Sequence, residues 1–121
     1  MLRHKLPVAG IATALTLAIT VPAVAHTEVK STNPKRGSTA GKSLRAVKVT
    51  FDGRLRSGTL RVRRIGGGKV SIGSGGRDPR NVSRLAVSLE SGLRSGRYKA
   101  SWTIVAADGH EQKGSFRFKI G

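Results

Sequence analysis

Beyond residue 25 the sequence predicts an all-β fold, a sandwich or a barrel, and three observations predict it. Apolar and polar residues alternate with period two in several separate runs. Turn-forming residues divide those runs at short intervals. No stretch keeps the 3.6-residue apolar rhythm of a helix.

The runs follow in order. Val47, Val49 and Phe51 alternate with Lys48 and Thr50. Leu60 and Val62 alternate with Arg61 and Arg63, and Leu85, Val87 and Leu89 with Ala86 and Ser88. Phe116, Phe118 and Ile120 alternate with Arg117 and Lys119. Each run has one apolar face, as a sheet with one buried side requires. Tyr98, Ala100, Trp102 and Ile104 share a face in a further run, which makes the single tryptophan a core anchor. Asn33-Pro34, Asp52-Gly53, Gly66-Gly67-Gly68, Gly73 to Gly76, Asp78-Pro79, Ser95-Gly96 and Asp108-Gly109 mark the turns. The glycine-rich stretch 66–76 reads as a mobile hairpin region; it lacks the strand–loop–helix context of a phosphate loop.

The first 25 residues read differently. Met1 to Lys5 is basic, residues 6–20 are uncharged and largely apolar, and small residues stand at Ala23 and Ala25. These are the three parts of a secretory signal peptide. The apolar run is short for a bilayer span, which takes about 20 residues. Cleavage after Ala25 is therefore expected, leaving residues 26–121 as one domain with a mature N-terminus at His26. Loss of Arg3 and Lys5 lowers the net charge from +17 to +15 on the remaining 96 of 121 residues.

The chain contains no cysteine, and its single methionine is Met1. The mature chain thus has no sulfur ligand of the kind that selects Cu(I). Any metal site must use nitrogen and oxygen. Two features supply them. A free N-terminal His26 offers its α-amine and ring Nδ1 to one ion as a chelate. Asp108-Gly109-His110 offers a carboxylate and an imidazole, which point the same way if the chain there is extended; Gly109 also permits a positive φ. Three nitrogens and one oxygen suit planar or tetragonal Cu(II), which stands at the top of the divalent affinity series. All donors must be deprotonated; in model peptides an α-amine titrates at about 8 and an imidazole at about 6.5. Affinity is therefore expected to fall on acidification. While residues 1–25 are retained, the His26 nitrogen is a peptide amide and the site is incomplete.

The stretch Gly96 to His110, with Gly114-Ser115-Phe116-Arg117-Phe118 after it, resembles the G-x-Y-x-x-x-W-x-x-V-S-A-D-G-H…G-x-F-x-F signature of the CopC copper-resistance family. His26-Thr27 and Ser31-Thr32-Asn33-Pro34-Lys35-Arg36-Gly37-Ser38 resemble that family's opening. The resemblance implies an immunoglobulin-like β-sandwich, Greek-key, of about seven strands. It implies a periplasmic or secreted carrier of one Cu(II) ion, held by His26, Asp108 and His110, that serves copper sequestration, delivery or resistance as a monomer. It also implies a membrane copper-transport partner of the CopD kind. Phe51-Asp52-Gly53-Arg54 departs from the family's F-S-E-P, and a Met-rich Cu(I) site is absent.

The charge admits another function class: a basic secreted module that binds anionic surfaces or nucleic acid with no metal role. Arg54, Arg56, Arg61, Arg63, Arg64 and Lys69 cluster, and Arg77, Arg80 and Arg84 follow. Export and the scarcity of aromatics for base stacking argue against nucleic acid. An anionic membrane or cell-wall surface fits better. An enzyme is not expected. A copper-dependent oxidase would need a broad aromatic platform and an open coordination position; this chain has one Trp and one Tyr, and Asp108 would fill the position.

Overall fold

The computed structural model describes Gly10 and residues 26–121; the export segment expected at 1–25 otherwise lies outside the described residues. Eight strands form: β1 (Val29–Asn33), β2 (Thr39–Ala40), β3 (Ala46–Phe51), β4 (Leu55–Arg64), β5 (Ser71–Asp78), β6 (Asn81–Leu89), β7 (Gly96–Ala106) and β8 (Glu111–Ile120). They make two four-stranded sheets, ordered β1-β3-β6-β5 and β2-β8-β7-β4. All pairs are antiparallel except the two-residue β2, which lies parallel to β8. The chain crosses between sheets after β1, β2, β3, β4 and β6. The result is an immunoglobulin-like sandwich.

The four alternating runs are β3, β4, β6 and β8. Their apolar residues meet between the sheets: Val47, Val49 and Phe51, with Leu85, Val87 and Leu89, against Leu60, Val62, Phe116, Phe118 and Ile120, all buried. Burial of each such side chain contributes about 1.5–3 kcal/mol. Tyr98, Ala100 and Ile104 join them from β7. The Tyr98 hydroxyl donates to the carbonyl of Arg94 four residues upstream, so its polar end is satisfied as a buried tyrosine requires. Trp102 is half-buried and packs on this core, edge-on to Phe51 at 5.0 Å between ring centroids. Its ring covers Gly114, where a Cβ would stand 2.2 Å from a ring carbon.

The glycine stretch corrects one expectation. Residues 73–76 do not turn; they lie within β5, the edge strand beside β6. Ile72 pairs with Ser88 and Gly76 with Ala86, so the segment between them bulges. Gly73 and Gly75 take φ of 69° and 62° there. A Cβ on Gly75 would stand 2.8 Å from the Ala86 carbonyl oxygen, so a close backbone approach explains the glycine.

Candidate metal centre

Asp108 and His110 lie together at one end of the sandwich. The β7–β8 hairpin turns through Ala107, Asp108 and Gly109. Gly109 N–H donates to the Ala106 carbonyl at 2.9 Å, and Ala106 N–H donates to the His110 carbonyl at 2.9 Å. Gly109 has φ 87°, the left-handed conformation with which three-residue hairpin loops end. Asp108 and His110 are therefore neighbours through the tight turn that Asp108-Gly109 marks in the sequence, and not through extended chain.

The turn aims the carboxylate at its own histidine. Asp108 Oδ1 accepts from the His110 backbone N–H at 2.9 Å, and Oδ2 lies 3.0 Å from His110 Nδ1. These contacts hold the Asp108 pKa below its ordinary value, the backbone hydrogen bond first and the side-chain one second. An imidazole whose Nδ1–H is held by a carboxylate presents Nε2 as its free donor, an arrangement common at metal-binding histidines. Both side chains are open to solvent, 61% for His110 and 41% for Asp108.

The N-terminal segment is held against the same end. Gln112, two residues beyond His110 on β8, bonds both backbone groups of Thr27: Thr27 N–H donates to Oε1 at 3.0 Å, and Nε2 donates to the Thr27 carbonyl at 2.8 Å. Next along the chain, Glu28 N–H donates to Asp52 Oδ1, and Asp52 N–H donates to the Glu28 carbonyl, each at 2.9 Å. Gly53 leaves room beside Thr27, whose Oγ1 would stand 3.4 Å from a Cβ there. The departure at Asp52-Gly53 thus has a local role: it docks the N-terminal segment. His26 directly precedes the clamped Thr27 and is exposed. Arg56, the bulged residue of β4, brings its guanidinium beside Gly109.

Among the described residues no three His, Asp or Glu side chains gather closely enough to hold an ion together. Asp108 and His110 are joined; His26, still carrying a peptide bond on its nitrogen, does not complete a trio with them. Gln112 and Asp52 went unread in the sequence. A single polar residue on a strand or in a turn leaves no periodic signal, and its partners stand 85 and 24 residues away.

A family model described as the CopC domain matches residues 29–121. Protein YobA of Escherichia coli strain K12 is 25% identical over 109 residues, 88% of each chain. The crystal structure of CopC from Methylosinus trichosporium OB3b superposes with a TM-score of 0.65 at 20% identity, covering 78% of this chain and 93% of that one. PcoC, a methionine-rich copper resistance protein from Escherichia coli, gives 0.64 at 20% identity, covering 80% of this chain and 100% of its own.

Proposed function

Since the chain belongs to the CopC domain family, we propose that it is an extracytoplasmic Cu(II)-binding protein that sequesters the ion or delivers it to a membrane partner. The donors are the freed amine and Nδ1 of His26, the imidazole of His110 and the carboxylate of Asp108. Two similar structures are those of CopC and of a copper resistance protein, and the donor set suits Cu(II) among divalent ions.

The observation that carries this reading is the Gln112 clamp on Thr27. His26 is one Cα step, about 3.8 Å, from Thr27. His110 is two residues from Gln112, about 7 Å along the strand. The clamp ties the chain beside the new N-terminus to the strand that leaves the hairpin, which supports this reading. Once Ala25 is cleaved away, the amine that was an amide becomes a donor. In the metal-free chain Asp108 holds His110 through Nδ1; to serve as a donor beside Nε2 its carboxylate must release that contact and turn to the ion. The site saturates the ion with protein donors, so the protein binds copper without turning it over.

The test is a competition titration with Cu(II), using the processed chain that begins at His26. Every strand and core residue among the described residues lies within that chain. One ion per chain is expected. His110→Ala should weaken binding by more than the 10- to 100-fold typical of losing an outer-shell partner. Unchanged affinity in that variant would refute the site.

A further inference from the structure

The outward face of the β2-β8-β7-β4 sheet carries a second feature. Arg63 stands opposite Lys99 on β7, and Lys99 stands opposite Arg117 on β8. This is an unbroken row of three cations across three strands, with neighbouring Cβ atoms about 5 Å apart. Arg97 pairs with Lys119 in the next row, and Arg61 precedes Arg63 by one outward position. Their inward neighbours Leu60, Val62, Tyr98, Ala100, Phe116 and Phe118 are buried, so alternation turns all six cations outward.

Among the described residues no carboxylate pairs with them: the ion pairs are Arg84–Asp78, His110–Asp108 and Lys113–Glu111, and none involves the six. Like charges directly opposite each other destabilise a sheet. This arrangement therefore works against folding unless an external anion is present. The charge is also graded. Towards the metal end the rows become Arg61–Ser101–Ser115 and Thr59–Thr103–Lys113. From Lys99 to Ala106 is seven residues, about 24 Å along β7.

We propose that this face docks the protein on an anionic phospholipid surface, with the metal end left free. The sequence cluster 54–84 obscured the face, because the fold scatters that cluster. Arg61 and Arg63 lie on this sheet, whereas Arg77 and Arg84 lie on the other. The rest of the face comes from residues 97–119. A planar array of cations suits a planar array of lipid phosphates. The face presents no aromatic for base stacking, since Tyr98, Phe116 and Phe118 all point inward.

Sedimentation with vesicles tests it, using phosphatidylglycerol against phosphatidylcholine, with duplex DNA at equal phosphate as a separate arm. Each basic residue near an anionic surface strengthens binding about fivefold. The triple variant Arg63→Gln/Lys99→Gln/Arg117→Gln should then bind phosphatidylglycerol vesicles about a hundredfold more weakly. A second triple, Arg45→Gln/Lys48→Gln/Arg80→Gln, has the same net charge but alters the other sheet and its flanks, and should lose less than fivefold. Raising salt should release the wild type. Backbone amide shifts of the wild type on adding anionic bicelles should map to β4, β7 and β8, a readout independent of either variant's folding. Equal losses in the two triples, shifts that map elsewhere, no vesicle binding at low salt, or tighter binding to duplex DNA would each overturn the proposal.

Discussion

Replacing Gln112 with alanine removes both hydrogen bonds that hold Thr27 to β8. Each is a part-buried backbone-to-side-chain bond with a net worth of about 1 kcal/mol. Together they pin the residue after the proposed chelating terminus for about 2 kcal/mol. Without them the terminus must be ordered when the ion binds, and that ordering draws on binding free energy. Since 1.4 kcal/mol is tenfold, Cu(II) affinity should fall about thirtyfold. The stability of the metal-free chain should change far less, because residues 26–28 can fray without opening the core. Gln112→Glu keeps the acceptor for Thr27 N–H but sets a carboxylate against the Thr27 carbonyl, so it should also weaken binding. The assay is competition titration of Cu(II) on chains beginning at His26, with thermal denaturation alongside. If Gln112→Ala bound copper within twofold of the wild type while remaining folded, the clamp would have no part in the site.

Two further outcomes are expected. The Asp108 carboxyl, followed by NMR, should titrate below the ordinary carboxylate range because His110 holds its charged form. In acid the unfolded chain then binds the proton first, so this residue's contribution is present above the unfolded value of about 3.9 and is lost as pH falls through the lower folded value; Asp108→Asn should remove that dependence. Gly114→Val should force Trp102 from its place, because a Cβ there would meet the ring at 2.2 Å; overpacking of about 2 kcal/mol would lower the melting temperature by about 8–16 °C for a domain this size, with a shift in the single tryptophan's fluorescence as the local readout.

Much of the fold was legible because burial writes itself as alternation. Val47, Val49 and Phe51, or Phe116, Phe118 and Ile120, announce both the strand and its inward face. Strand β5 left no such mark: glycines have no side chain to alternate, so Gly73 to Gly76 looked like a turn while its backbone bulged along β6. At the site, Asp108-Gly109-His110 was visible both as donors and as a turn, but the grip of the carboxylate on its own histidine was not. The positive φ of Gly109 makes a hairpin turn in which the carboxylate first grips the histidine backbone. The contacts that lie hardest to read are those between distant residues, namely Gln112 with Thr27 and the row Arg63–Lys99–Arg117. Each depends on strand order and register, which local pattern does not encode.

The central claim is that a freed amine at His26 completes a site whose other half is built at the β7–β8 hairpin. Electron paramagnetic resonance of Cu(II) bound to two chains tests it most directly, one beginning at His26 and the other with a single glycine placed before it. The first should show one tetragonal site with several nitrogen couplings. The second moves the amine one residue along and should lose that signature together with most of its affinity. Identical spectra and equal affinity from the two chains would contradict the account.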